Sequence, residues 1–189
     1  MRTKIETQYW LLITFTFLFS QATAQNIPQP VNQNEFFDSL NKASIGKEFP
    51  RFSAQGSHDF RISSSDLKDK VVFINFWFSN CSPCIREING LNRLYDTISN
   101  NSNVLFLSFT YDPFEESQEA VKKFGIRFPV LNVSREECYR LNLHSGFPTN
   151  FILNRSGIIK WTSYGAPPDQ NMASHQIFEA GLSQIQKEL

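Results

Sequence analysis

Apolar residues occur along this chain in short runs and helical repeats that alternate with polar connections. The stretch Val71–Phe78 is apolar almost throughout, as expected for a strand whose two faces are both covered by other elements. After Cys84, apolar side chains recur at intervals of three and four residues and predict an amphipathic helix: Ile88, Leu91, Tyr95 and Ile98. The polar residues Ser99-Asn100-Asn101 then end that helix.

The same alternation continues to the C-terminus. The remaining predicted elements are strands at 104–109 and 128–131, helices at 115–124 and 134–141, a hairpin at 151–153 and 158–161, and a helix at 170–187. Gly125 stands where a helix commonly ends, and Ser134 precedes Glu137 by the spacing of a capping box. Strands that alternate with helices predict an α/β fold with a central mixed β-sheet and helices on both of its faces.

The N-terminus has the pattern of a secretory signal peptide. Arg2 and Lys4 precede an apolar run from Trp10 to Phe19, and Ala22-Thr23-Ala24 offers a cleavage site after Ala24. The run is about ten residues long, well short of the ~20 that a spanning helix needs, so no lasting membrane anchor is expected. The predicted organisation is therefore a signal peptide at 1–24, an N-terminal leader at 25–44 that includes a short helical turn near Phe36, and one domain at 45–189.

Charge and cysteine content limit the classes of function that this chain can have. Eighteen basic residues balance eighteen acidic ones, so the chain lacks the electrostatic footprint of a nucleic-acid or anionic-membrane binder. Three cysteines are too few for a disulfide-stapled framework, and two of them form a C-x-x-C motif while Cys138 stands alone. An exported chain with one close pair indicates redox or metal chemistry.

The chemistry of the pair follows from its predicted position between a buried strand and a helix. Cys81 would lie at the helix N-terminus, where free N–H groups and the helix dipole favour a thiolate and lower the thiol pKa. Cys84, one turn further in, could attack a mixed disulfide formed at Cys81 and release the reduced partner. Pro83 falls in the first helical turn, where its missing N–H costs little.

The sequence also allows other roles for these cysteines. A static disulfide is one, and a metal clamp is another, although a single C-x-x-C supplies too few ligands for closed structural zinc. Copper(I) held by Cys81, Cys84 and His144 stays open, because soft thiolates suit that ion. Peroxidase chemistry is disfavoured, since Ile74 and Phe78 stand where peroxiredoxins carry Pro and Thr or Ser. Cys138 is interpreted as a buried apolar residue, with a second resolving thiol as the alternative.

Four stretches together resemble the TlpA/ResA type of exported thioredoxin-like thiol-disulfide oxidoreductases. They are VVFINFWFSNCSPCIREI, FGIRFPVL, GFPTNFIL and LNRSGIIKW, and the likeness runs from about Ile45 to the C-terminus. The resemblance implies that Cys81 is the exposed nucleophile and Cys84 the resolving cysteine. It also implies that Pro148 is a cis-proline that faces the disulfide and helps to dock an extended substrate.

Glu87 matches an acidic residue that many ResA-like proteins place close to the cysteine pair. Independently of the resemblance, helical geometry of about 100° per residue puts Glu87 inside the apolar sector of its helix. A carboxyl group there should have a raised pKa and could exchange a proton with Cys84. Asn75 stands where cytoplasmic thioredoxins carry a buried Asp, but Asn is usual in the exported relatives, so Glu87 is the favoured acid–base group.

The resemblance also implies a substrate-facing surface, and one position departs from the family. The residues concerned are Trp77, Asn80, Ser82, Pro83, Phe147 and Pro148. The family commonly has Trp immediately before its first cysteine, whereas this chain has Asn80, which leaves the substrate surface and the redox potential open.

The expected function is exported, periplasmic thiol–disulfide exchange that reduces disulfides of envelope proteins with no cofactor. Reduction in an oxidising compartment requires electrons, so a membrane-bound dithiol donor is implied. Some relatives reduce apocytochrome c, which makes cytochrome c biogenesis an expectation from the resemblance alone. A copper chaperone and a redox-silent module that binds partners near Pro148 are the alternatives.

Overall fold

The computed structural model describes residues 32–56 and 61–189. The predicted signal peptide and the leader up to residue 31 lie outside the described residues. Residues 37–189 form a compact unit, which contains the whole sheet. Among the described helices, none is both long and apolar enough to cross a bilayer.

Seven strands of the described residues form one mixed sheet. They are β1 (Ser53–Gly56), β2 (Arg61–Ser63), β3 (Val71–Trp77), β4 (Val104–Thr110), β5 (Val130–Asn132), β6 (Thr149–Leu153) and β7 (Ile159–Tyr164). Their order across the sheet is β2-β1-β5-β4-β3-β6-β7. The β3–β4 and β4–β5 pairs are parallel, whereas the β3–β6, β6–β7, β1–β5 and β1–β2 pairs are antiparallel. The β3 strand thus lies inside the sheet, where every one of its residues is buried.

Five α-helices pack with the sheet in the described part of the chain. They are α1 (Gln33–Ser44), α2 (Ser82–Ile98), α3 (Phe114–Phe124), α4 (Arg135–Leu141) and α5 (Gln170–Glu188). Helix α3 ends at Gly125, whose φ of 63° lies in the left-handed region that favours glycine. Helix α4 begins after Ser134, whose hydroxyl accepts the N–H of Glu137 at 3.1 Å, as the predicted cap requires.

The sheet separates two hydrophobic clusters because successive residues of a strand point to opposite faces. On one face, Phe73 and Trp77 of β3 pack with the apolar sides of α2 and α5. On the other face, Ile74 and Phe76 pack with α4 and with apolar residues that precede β3, namely Phe49, Phe52, Ala54, Ile62 and Leu67. These two layers confirm the predicted α/β class with helices on both faces of a mixed sheet.

The order of strands and helices from β3 to α5 agrees with the sequence prediction, and the differences are local. The strand predicted at 128–131 is Val130–Asn132, and the turn expected near Phe36 is the twelve-residue helix α1. The β1–β2 pair was not predicted. Both strands are short, β2 lies at the sheet edge, and only every second residue of β1 is buried.

Helices α2 and α5 approach closely on the first face. A Cβ atom at Gly90 would overlap the carbonyl oxygen of Ser174, and one at Gly181 would lie 2.8 Å from a methyl carbon of Leu94. Glycine at these two positions therefore permits the contact between the helices. The close approach matters for the site because α2 carries both cysteines of the C-x-x-C motif.

Candidate active site

Cys81 and Cys84 form a disulfide at the junction of β3 and α2, with Cα atoms 5.2 Å apart. Cys81 is the N-cap of α2, and its Sγ accepts the N–H of Cys84 at 3.3 Å. Pro83 lies in the first turn, as predicted. When the disulfide is reduced, the free N–H groups at this helix end stabilise negative charge on Cys81. The geometry therefore favours Cys81 as the thiolate of the pair.

The expected exposure of Cys81 is wrong for the disulfide form. Cys81 is 4% exposed and Cys84 is 2% exposed. Both belong to the hydrophobic cluster under α2, against which the half-buried Phe78, Ile85 and Phe147 pack. The sequence pattern does not locate these surrounding apolar groups, so it did not predict how deeply the two cysteines are buried.

Two acidic side chains fix the turn between β3 and Cys81. The N–H of Ser79 donates to Oδ2 of Asp112 at 2.6 Å, and the Ser79 hydroxyl donates to Oε1 of Glu116 at 2.6 Å. Asp112 follows β4, the parallel neighbour of β3, so the register of the two strands brings its carboxylate to this turn. Sequence reasoning missed Ser79, Asp112 and Glu116, because only strand pairing brings them together.

The Phe147–Pro148 peptide bond is cis, as the resemblance implies. The antiparallel register pairs Phe76 with Thr149, so the residues just before β6 run beside the end of β3. The rings of Phe78 and Phe147 confirm this alignment, with centroids 5.3 Å apart. Pro148 therefore lies beside the strand end that leads to Cys81.

Phe147 is the centre of an aromatic cluster beside the disulfide. Its ring meets Phe78, Tyr111 and Tyr139 edge-on, with centroids between 5.3 and 5.5 Å apart. The guanidinium of Arg135 lies over the rings of Tyr111 and Tyr139 at 5.3 and 5.8 Å. The four rings come from four separate segments, so no local pattern in the sequence identifies the cluster.

The other residues predicted to face substrate differ in accessibility. Asn80 and Ser82 are exposed, and Pro83 and Phe147 are half-buried. Trp77 is only 2% exposed, and its indole nitrogen is buried without a hydrogen-bond partner. Pro148 is also buried. In the disulfide form, four of the six residues are at least partly exposed, and substrate contact by all six stays a prediction.

Glu87 lies one turn after Cys84 on α2 and is 2% exposed, which agrees with its predicted place in the apolar sector. Burial raises the pKa of its carboxyl group from 4.5 to about 8, against the opposing effects of a hydrogen bond from Asn150 and the charge of Arg86. The Asn150 amide donates to Oε2 at 3.2 Å. Near neutral pH this carboxyl group can therefore both hold and release a proton.

A small cavity of about 20 Å³ lies beside Glu87. Its walls come from β7, from the loop after it and from α5, and they include Trp161, Pro167 and Gln176. Arg86 closes this loop against α2, donating to the carbonyl oxygen of Pro167 at 2.7 Å and to the Ser82 hydroxyl at 3.0 Å. The space suffices for about one water molecule next to the carboxyl group.

Cys138 is remote from this chemistry. It is fully buried in the hydrophobic cluster on the face of the sheet opposite Cys81 and Cys84. Burial raises the pKa of its thiol to about 12, with smaller contributions from Asp112 and Glu137. The location agrees with its interpretation as a buried apolar residue and contradicts the alternative role of a second resolving thiol.

His144 is exposed and has a positive φ of 57°. The centroid of its ring lies 6.3 Å from that of Tyr139, which belongs to the aromatic cluster around Phe147. Across 32–56 and 61–189, no group of three or more His, Cys, Asp or Glu side chains is arranged to hold a metal ion.

The sequence of the chain is similar to that of a known family and of known enzymes. The model of the AhpC/TSA family matches residues 45–162. Thiol-disulfide oxidoreductase ResA of Bacillus thuringiensis (strain Al Hakam) is 32% identical over 126 residues, covering 65% of this chain and 70% of that protein. ResA of Geobacillus kaustophilus (strain HTA426) is 25% identical over 142 residues, covering 74% of this chain and 80% of that protein.

Among solved structures, the thioredoxin domain of a thiol-disulfide oxidoreductase from Bacteroides vulgatus superposes with a TM-score of 0.63. The match covers 75% of this chain and 98% of that one at 16% identity, which shows the fold alone. A disulfide at the start of the helix after a central buried strand, on this fold, defines a thiol-disulfide oxidoreductase. The chain belongs to the AhpC/TSA family and, by its likeness to ResA, to the ResA thiol-disulfide oxidoreductases within it.

Proposed function

We propose that this enzyme reduces disulfides of exported envelope proteins through the dithiol of Cys81 and Cys84. The observation that carries the proposal is the position of the disulfide at the N-terminus of α2, which stabilises a thiolate on Cys81 in the reduced form. The signal-peptide pattern before Gln25 supports export to an oxidising, periplasmic compartment.

The reaction is a balanced exchange of two electrons and two protons. The Cys81 thiolate attacks one sulfur of the partner disulfide, a mixed disulfide forms, and the partner's other sulfur leaves as a thiolate that takes a proton from solvent. The Cys84 thiol then transfers its proton to the ionised carboxylate of Glu87 and attacks Cys81. This step re-forms the Cys81–Cys84 disulfide and releases the partner's second sulfur, which is also protonated.

The return step restores both the dithiol and the carboxylate. A thiolate of a membrane-bound dithiol donor attacks Cys81, a mixed disulfide between the donor and Cys81 forms, and Cys84 leaves as a thiolate. The donor's second thiol then loses its proton to solvent and attacks the donor sulfur of this mixed disulfide, which releases Cys81 as a thiolate and leaves the donor oxidised to a disulfide. Glu87, which has kept the proton from the forward step, returns it to Cys84. The pKa of about 8 suits a group that must alternate between its two protonation states near neutral pH.

The partner is proposed to bind over the exposed side of the cysteine turn. Asn80, Ser82, Pro83 and Phe147 supply accessible surface around the buried sulfur atoms. Since Cys81 is 4% exposed, a partner must displace part of the half-buried cover to reach it. Trp77 and Pro148 are proposed to contact the partner once this cover has moved. An apocytochrome c is one partner of this chemical class.

A redox titration of the mature protein tests this function. The protein is equilibrated in glutathione or dithiothreitol buffers, and alkylated thiols are counted by mass spectrometry with Cys138→Ala alongside. Reversible exchange at a potential near or below about −200 mV is expected for a reductase. A potential near about −120 mV would make the protein an oxidant, and the absence of exchange would end the redox interpretation.

A further inference from the structure

Three buried polar residues lie side by side on three neighbouring strands beneath α2. The register pairs Asn75 of β3 with Ser108 of β4 on one side and with Asn150 of β6 on the other. Ser108 and Asn150 are fully buried, and Asn75 is 1% exposed. Buried polar groups need partners, and here each of the three finds one in its neighbour.

The hydrogen bonds that join them all run in one direction. The Ser108 hydroxyl donates to Oδ1 of Asn75 at 3.2 Å, and Nδ2 of Asn75 donates to Oδ1 of Asn150 at 2.8 Å. Nδ2 of Asn150 then donates to the carboxylate of Glu87 at 3.2 Å. An amide accepts on one end and donates from the other, so each bond fixes the orientation of the next amide.

We propose that Ser108, Asn75 and Asn150 are positioning residues that hold an amide N–H against Glu87 and thereby control how readily Glu87 takes and returns its proton. This role rests on the proposed function of Glu87 as the proton partner of Cys84. Without the bond from Asn75, the Asn150 amide is free to turn its oxygen towards Glu87, where it would repel the ionised carboxylate. Hydrogen bonds in such a chain also strengthen one another.

The chain of hydrogen bonds opposes the effect of burial on the pKa of Glu87. Desolvation raises the pKa of Glu87, whereas the hydrogen bond from Asn150 lowers it by favouring the ionised form. Arg86 on α2 adds a smaller effect in the same direction. Among the described residues that line the cavity beside Glu87, those from β7, the following loop and α5 carry no ionisable side chain. Cys84, on α2 itself, is held in the disulfide in this state.

Carbon-13 NMR titration of the Glu87 carboxyl group in the disulfide form tests the proposal. Glu87→Gln assigns the resonance. In Asn150→Leu the midpoint should rise by about one pH unit, a tenfold increase in proton affinity, because a hydrogen bond to a charged acceptor is lost. Ser108→Ala should raise the midpoint by a smaller amount, although it does not touch Glu87.

Asn92→Ala is the matched control. Asn92 lies on the same helix and is 3% exposed, but it bonds to the carbonyl oxygen of Gly125 and to the N–H of Arg127 instead. Its removal should lower stability and leave the Glu87 midpoint unchanged. If Asn150→Leu does not fold, the milder Ser108→Ala variant decides the question on its own.

The proposal is overturned if Ser108→Ala leaves the midpoint where Asn92→Ala leaves it. The proposal is also overturned if the midpoint of Glu87 shifts only in Asn150→Leu. Glu87 would then depend on one direct hydrogen bond and not on the chain of hydrogen bonds behind it. The titration reports on Glu87 whether or not the enzyme turns over. Failure of the proposed function would instead appear as a wild-type dithiol that does not exchange, so the two failures are distinguishable.

Discussion

The rings of Phe78 and Phe147 meet edge to face across the end of β3, with centroids 5.3 Å apart and planes at 86°. Phe78 begins the turn to Cys81, and Phe147 precedes the cis-proline Pro148. Two loops that are distant in the chain are thus held together by aromatic packing at the disulfide. The arrangement of the candidate substrate surface therefore depends on this contact as well as on the backbone of the sheet.

Replacing Phe147 by Ala should impair both stability and partner reduction. The variant loses three edge-on aromatic contacts, and we expect a loss of about 2 kcal/mol in the free energy of unfolding. We expect kcat/KM for a protein disulfide to fall by about tenfold, because the aligned surface is lost. Urea unfolding and an insulin-reduction assay measure the two effects.

Phe114→Ala is the control for this prediction. Phe114 begins α3 and is 47% exposed, so its removal deletes an aromatic ring of equal size from the surface. Stability and kcat/KM should both stay close to wild type. Equal losses in the two variants would show that the position of Phe147 beside Pro148 has no special role.

The stability of the disulfide form should fall as the pH rises from about 4.5 to about 8. Glu87 has a pKa of about 8 in the folded chain, against 4.5 for an ordinary Glu. Below pH 4.5 the carboxyl group is protonated in both the folded and the unfolded state, so folding does not bury a charge. Between the two pKa values only the unfolded chain ionises, and unfolding is increasingly favoured. The total loss is on the order of 5 kcal/mol.

Glu87→Gln should remove most of this pH dependence. Gln has a similar shape and can still accept the Asn150 hydrogen bond, but it does not ionise. The variant should match wild type near pH 4.5 and exceed its stability at pH 9, as measured by urea unfolding across this range. Parallel pH profiles for the two proteins would contradict a buried, proton-holding Glu87.

Cys138→Ala should leave thiol–disulfide exchange unchanged and reduce stability by about 1 kcal/mol through the small cavity that it creates. The sheet separates Cys138 from the cysteine pair, and its pKa of about 12 keeps the thiol protonated. In the native wild type, iodoacetamide should leave Cys138 unmodified until urea is added. A mixed disulfide trapped at Cys138 during turnover would contradict its inert role.

Gly90→Ala should disturb the contact between α2 and α5. The new methyl group would overlap the Ser174 carbonyl oxygen, and forcing extra volume into a packed interface costs about 1–3 kcal/mol. Asn89→Ala, at the exposed neighbouring position, is the control and should be neutral. Thermal unfolding of both variants measures the difference, and equal melting temperatures would show that the helices can part at Gly90 without cost.

Sequence patterns located the central part of the fold because it is made of strongly periodic segments. The uninterrupted apolar run of β3 and the three- and four-residue spacing after Cys84 each reflect burial on a known face. The β1–β2 pair has no such signal, since both strands are short and are defined by their pairing, β1 with β5 and β2 with β1 at the edge of the sheet. Edge pairing of this kind is a tertiary effect.

The residues of the candidate site also fall into two groups, those with a local signal in the sequence and those without one. Cys81, Cys84 and Glu87 lie within one turn or two of the same helix, so their spacing predicted that they lie close together and that Glu87 is buried, while the resemblance suggested the role of Glu87. The aromatic rings around Phe147 and the carboxylate of Asp112 reach the site from separate segments. Their positions depend on strand order and register, which a single sequence does not determine.

The pairing of α2 with α5 links the redox segment to the far end of the chain. Ile177 and Ile185 of α5 belong to the same buried cluster as Cys84, and α5 also walls the cavity beside Glu87. During synthesis, α2 emerges long before the helix that packs against it. The wall that α5 contributes to the cavity beside Glu87 is therefore the last part of the site to form.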